Sequence, residues 1–377
     1  MNDHETAPFR AHRRHVLKLA GAGLAAGAAG ALLPATGFAA GADDKALIAA
    51  AKQEGRLNTI ALPPDWANYG EIISAFQKKY GIPIHNAAPD DSSAQELQSI
   101  RSLRGQSRGP DAVDVGPSFA QIGVQQGLFR PYKVATWDSI PASMKNPKAL
   151  WYGDYFGLIS FGVNRSVVKT APNTWADLKK PDYKGMVTLN GSPLGAGAAF
   201  AAVMAAAIAN GGSVDDIMPG IEFFADLAKR GNFNPSAATA ASLVSGQTPV
   251  VVNWDYLNLA EHKKAKGMTE IDTIIPENAK PYGAYYCQAI SKYAPHPKSA
   301  ELWMEFIYSD EGQLLYLKGY AHPVRFSDMV KRGVIPKTLM AELPPAAPYA
   351  EAVFANQAQT KKAQEALSKH WSRMVKA

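Results

Sequence analysis

Short apolar runs alternate with stretches of helical periodicity along most of this chain, and that alternation confines it to the α/β class. The spacing predicts a helix over 46–54, a strand over 57–62, and a helix over 69–80 with Ile72, Ile73 and Phe76 on one face. A strand over 82–85, a helix opening at Ser92 and Ser93, and a buried strand over 112–115 complete a first unit. The pattern then starts again. An apolar strand over 155–163 leads to a strand over 186–189 and a Gly/Ser-rich turn over 190–197. An alanine-rich helix to Ala209, a helix over 221–230 and a strand over 249–253 come next. A return strand over 285–291 precedes helices over 300–308, 311–317 and 349–375. A chain that builds one α/β unit, leaves it, builds another and comes back makes two lobes joined by crossing segments, with a ligand cleft between them.

The first 42 residues read as an export leader. Arg13-Arg14 is followed by a weakly apolar Ala/Gly stretch to Leu33 and by small residues near Ala39 and Ala42, the pattern of a twin-arginine signal peptide with cleavage there. The run is too short, and too broken by Gly and Pro34, for a membrane span. Cys287 is the single cysteine, which excludes an intrachain disulfide and cysteine-rich metal sites, and no cysteine follows the leader to carry a lipid anchor. The net charge of +6 is spread without a Lys/Arg block, so no nucleic-acid partner is expected. The domain reading is a leader over 1–42, a first lobe over 43–157, a second over 158–284, and a segment over 285–377 that returns to the first lobe. The mature protein is expected to be a monomer in the periplasm.

Five segments carry a family resemblance: Asp65-Trp66-Ala67-Asn68-Tyr69, Tyr155-Phe156-Gly157-Leu158-Ile159, Thr174-Trp175-Ala176-Asp177-Leu178, Pro181-Asp182-Tyr183-Lys184-Gly185 and Ala289-Ile290-Ser291-Lys292-Tyr293. In this order the chain resembles the extracellular solute-binding proteins of ABC transporters with the type II periplasmic-binding fold, above all the polyamine, thiamine, ferric-iron and phosphonate binders. The resemblance implies two lobes, a small-molecule ligand captured by hinge closure, an inner-membrane ABC permease as partner, and neither catalysis nor a cofactor.

Three kinds of group are expected at the cleft. Trp66, Tyr69, Tyr155, Trp254, Tyr256, Tyr285 and Tyr286 are aromatic faces that could hold an apolar or cationic ligand, or pack as core. Ser92, Ser93 and Ser192 open predicted helices, whose N-termini favour anions, though serine also caps helices with no ligand present. Asp65, Asp114 and Asp255 follow or end strands, where a carboxylate can pair with an ammonium group or serve as a structural hydrogen-bond acceptor. Ferric-iron relatives place two adjacent tyrosines where this chain reads Asp255-Tyr256, so the polyamine pattern of Trp66-x-x-Tyr69 and Trp254-Asp255 fits better. Gly191-Ser192-Pro193 lacks a second acidic anchor. The expected ligand is therefore a small polar, amine-bearing solute, polyamine-like or aminophosphonate-like. The alternatives are an anion such as a phosphonate or sugar phosphate, and ferric iron. An exported enzyme is the rival class, but no GxSxG, HExxH or dinucleotide fingerprint is present, and His85, His262, His296 and His322 are scattered without metal-ligand spacing.

Overall fold

The computed structural model describes residues 41–277 and 279–376, so the leader lies outside the described residues. The strand Tyr152–Asn164 is the spine of the fold. Its first part pairs antiparallel with the return strand Gly283–Ser291, and its second part, from Ile159, pairs antiparallel with Val250–Trp254 and Ile271–Ile274. The partners change between Leu158 and Ile159, so one continuous strand serves two sheet halves. At about 3.3 Å per residue such a strand is long enough to cross from one lobe into the next.

On one side of the crossing, Ala112–Val115 pairs with the return strand, while Leu57–Ile60 and Ile84–Ala87 form a parallel pair. On the other side, Val250–Trp254 runs parallel to Val187–Leu189, which pairs in turn with Phe233–Asn234. Every residue of Val250–Trp254 is buried, which explains an apolar run without alternation: helices cover both faces of this central strand. The helix Gly197–Ala209 is buried along Ala198–Ala207, on all its faces. Alanine allows this, because its small side chain lets neighbouring elements approach from every direction.

Most elements lie within a few residues of their expected positions, and the helix Tyr69–Tyr80 coincides with the sequence reading. The last helix differs. Residues 349–375 do not form one helix but a short turn, Ala347–Glu351, and then the helix Gln357–Met374. Val353 interrupts them by exchanging backbone hydrogen bonds with Pro281 and Gly283, and the capping box of Asn356 and Gln359 then restarts the helix. This helix packs against both Pro117–Gln125 and Met218–Arg230, with Trp371 seated on Phe224 and Phe233. The helices Pro297–Ile307 and Asp310–Lys318 instead lie on Lys45–Glu54 and Tyr69–Tyr80. No helix among the described residues is long and apolar enough to cross a membrane.

Candidate ligand-binding cleft

A cleft of about 650 Å³ opens where the loops after several strands face one another. One wall comes from residues 61–66, 89–96 and Asp114; the other comes from residues 190–198, 237–243 and 251–261, and Tyr286 of the return strand joins them. The first wall is built on unusual backbone. Ala61, Ala67, Asn68 and Ala88 have positive φ values of 39–67°, in the left-handed region that costs a residue with a Cβ roughly 1–2 kcal/mol. This conformation turns the chain sharply after the strands Leu57–Ile60 and Ile84–Ala87 and sets Trp66 into the cleft.

Trp66 begins a hydrogen-bond relay into the interior. Its indole Nε1 donates to the Tyr155 hydroxyl at 2.7 Å, and the Tyr155 hydroxyl donates to Asp114 Oδ2 at 2.9 Å. The Tyr69 hydroxyl donates to the same Oδ2 at 2.7 Å. Behind them, Asp154 Oδ2 accepts from Gln288 Nε2 and the Tyr316 hydroxyl, each at 3.2 Å. Asp114 is 4% exposed, and its other oxygen, Oδ1, has no hydrogen-bond partner. The Asp114 backbone N–H donates to Glu96 Oε2 at 2.9 Å, and Glu96 is only 1% exposed. Burial pushes the Asp114 carboxyl up to about 7 and holds Glu96 and Asp154 well above the carboxylate range, with repulsion from Asp114 adding to both.

Of the expected site residues, Asp65, Trp66, Ser92, Ser93 and Tyr286 line the cleft. Both serines are engaged in the fold: Ser92 belongs to a capping box with Gln95, and Ser93 Oγ accepts from the Gly116 N–H at 3.1 Å. Tyr69 and Tyr155 stand behind the cleft as fully buried members of the relay. Ser192 is exposed and does not line the cleft. Tyr285 stacks on Trp151 in a core that also holds Val113, Phe119 and Cys287.

Asp255 is the clearest correction. It caps the crossing strand instead of facing a ligand: Oδ1 accepts from the N–H groups of Leu158 and Tyr256 at 2.9 Å, and Oδ2 takes the Tyr349 hydroxyl. Burial raises its carboxyl to about 6. Gly157 permits this approach, since a Cβ there would lie 2.7 Å from Asp255 Oδ1 and 2.5 Å from the Tyr256 ring. Trp254 is likewise core, stacked on Tyr256 at 6.2 Å and covered edge-on by Tyr286 at 6.1 Å. Tyr256 is fully buried beneath it.

Sequence reasoning missed Glu96, Asn190, Asn253, Asn258 and Glu261, which also line the cleft. Glu96 comes three residues after Ser93, so it shares the helix face that opens at the cap, and Asn258 and Glu261 stand in the same relation on Asp255–Ala265. That periodicity was a usable signal. At the rim, Lys264 Nζ reaches Asp65 at 2.8 Å across the mouth, and Ala94 N–H points to Gly195 O at 3.5 Å.

Residues 110–346 match the family model of bacterial extracellular solute-binding proteins. The chain belongs to this family. Solute-binding proteins of this kind bind small ligands and work with ABC permeases. The fold is also that of solved periplasmic binding proteins. AfuA from Actinobacillus pleuropneumoniae, solved with fructose-6-phosphate, is 17% identical with a TM-score of 0.68 over 85% of this chain and 98% of that one. Iron-bound HitA from Pseudomonas aeruginosa is 20% identical, TM-score 0.63, over 83% and 97%. A spermidine/putrescine transporter protein from Listeria monocytogenes is 13% identical, TM-score 0.63, over 85% and 99%. These neighbours are binding proteins with two lobes, and the solute-binding protein described here shares their architecture. No curated protein matches the sequence.

Proposed function

We propose that this solute-binding protein is exported to the periplasm through its Arg13-Arg14 leader and captures a small, amine-bearing cation for an ABC importer. The charge of the cleft carries this reading. Asp65, Asp90, Asp91, Glu96, Asp114 and Glu261 line it; Lys264 at the rim pairs with Asp65 and Glu261, and none of the described lining residues is lysine, arginine or histidine. In a partly desolvated cleft a single sign of charge raises the local concentration of the opposite ion and rejects its own sign. Trp66 and Tyr286 add aromatic surface, on which an ammonium gains about 0.5–2 kcal/mol. The lobes would close about the Tyr152–Asn164 and Gly283–Ser291 strands, presenting the closed form to the permease.

The fold neighbours are named for ligands as different as fructose-6-phosphate, iron and spermidine or putrescine, so architecture does not choose among them. The lining does. A phosphoryl group would meet carboxylates at every turn, with the Ser92 and Ser93 hydroxyls already committed to the fold. Iron coordination by phenolates would need Tyr256 and Tyr286 to ionise, and burial pushes both phenols upward. Calorimetry against spermidine, thiamine, 2-aminoethylphosphonate, a hexose phosphate and ferric citrate tests the reading. An amine should bind and the hexose phosphate should not; the reverse result refutes it.

A further inference from the structure

Resting on the cationic reading above, we propose that Asp114 and Glu96 form the subsite that anchors the ligand's ammonium group, at the floor of the cleft beneath Trp66. Nothing in the sequence set Asp114 apart from the other strand-end acids. Three observations do so in the structure.

The first is an unmet acceptor. Asp114 Oδ2 receives two hydroxyl protons, from Tyr69 and Tyr155, while Oδ1 receives none. A buried carboxylate oxygen without a donor is unfavourable, and native folds keep such groups where a ligand, an ion or a proton completes them. Asp154 lies against Asp114, close enough for the two carboxyls to share a hydrogen bond, and also meets the Tyr69 hydroxyl; it has donors on both oxygens and does not line the cleft. The unmet acceptor belongs to Asp114 alone of the two.

The second is the sign of everything around it. The groups that face Asp114 are Tyr69 from its helix, Glu96 from the helix Ser93–Ser102, and Asp154 and Tyr155 from the crossing strand. Tyr286, Cys287, Tyr256 and Tyr316 surround them, and each is acidic or neutral. Among the described residues no cation neutralises Asp114 and Glu96, so the balancing charge comes from solution, as a proton or as a bound cation. The raised Asp114 and Asp154 carboxyls reflect a proton held by this pair when no ligand is present.

The third is shape. The cavity is far larger than a bare ion, Trp66 and Tyr286 meet edge to face at 5.5 Å beside the acids, and no group of three or more His, Cys, Asp or Glu side chains among the described residues is placed to hold a metal. Aromatic walls over a carboxylate floor suit an organic ammonium. Capture is then an exchange: the ammonium enters, and the proton held by Asp114 and its neighbour Asp154 leaves to solvent.

The test is calorimetry of the mature protein with spermidine, putrescine, thiamine and choline at pH 6 and pH 8, each in two buffers of different ionisation enthalpy. A floor group titrating near 7 makes the affinity about tenfold higher at pH 8 and releases close to one proton at pH 6. Asp114→Asn should abolish this pH dependence and weaken binding at pH 8 at least tenfold. Glu96→Gln should weaken it less and leave a residual slope, and Asp255→Asn should keep the full slope. A wild-type protein that binds one of these amines with the same affinity at both pH values overturns the subsite, whatever the variants do, and leaves the cationic reading standing. An Asp114→Asn protein that melts cooperatively and binds the amine as wild type does has the same consequence. A wild-type protein that ignores all four amines but takes fructose 6-phosphate overturns the cationic reading and the subsite together.

Discussion

The two walls of the cleft are made of different chemistry. The wall from residues 61–114 carries Trp66, five of the acids and the left-handed backbone turns. The wall from residues 190–261 is small and mostly neutral: Gly191, Ala196–Ala198, Ala237–Ala241, three asparagines and a single acid, Glu261. On the proposed reading, the difference separates a wall that recognises from one that covers. Strained backbone and buried carboxylates are stabilised only where a rigid scaffold holds them, so on the proposed reading the charged wall docks the ligand. Small side chains admit close approach, and Gly197 lies so near Tyr286 that a Cβ there would sit 3.1 Å from its hydroxyl. On the proposed reading the neutral wall would close over the ligand.

The largest expected effect falls behind the walls, on stability. Trp254→Ala empties a fully buried site between Tyr256 and Tyr286 and should cost about 3–5 kcal/mol of folding free energy, seen as a lower midpoint in denaturant. A loss of affinity with unchanged stability would move Trp254 from core to recognition. Trp66→Ala should do the opposite: about 1–3 kcal/mol lost from amine binding, measured by calorimetry, and a smaller loss of stability. Equal affinity of Trp66→Ala and wild type would deprive the charged wall of its aromatic part.

Acidity sharpens the comparison further. Asp114 and Asp255 are raised to about 7 and about 6 by burial, so in the folded state each holds a proton that the unfolded chain releases near pH 4. Their contribution is fully present below that unfolded value and is lost as pH rises through 6 to 7. The ligand-free protein should therefore melt higher at pH 5 than at pH 7.5, and an amine should recover the difference at pH 7.5. The smallest effect belongs to the rim. Lys264→Met breaks the ion pairs with Asp65 and Glu261 at the rim and should change affinity by less than about 1 kcal/mol, with a weaker dependence on salt.

The lobes and the crossing were legible because helical periodicity and short apolar runs survive in the sequence, from Ile72 and Phe76 on one helix face to the unbroken Val250-Val251-Val252. The cleft was legible only in part. Asp65 and Trp66 stand in the loop after one strand, and Ser92 and Ser93 at the helix start after the next, where position alone brings a side chain to the opening. Asp114 and Asp255 occupy similar places in the sequence but have opposite fates. Asp255 is captured by the Leu158 N–H, 97 residues away, and by Tyr349 from the C-terminal segment, and no local pattern announces such partners. Tyr69 obeys the same logic, since the left-handed Ala67 and Asn68 decide that its hydroxyl turns inward to Asp114.

Native mass spectrometry of the freshly purified mature protein tests the central claim most directly, because it reads what the acid-lined cleft takes up in the cell. The account predicts a co-purifying small molecule that carries at least one ammonium group and is lost on dilution into pH 5 buffer. A phosphate ester or ferric ion held in its place, and retained at pH 5, would contradict it.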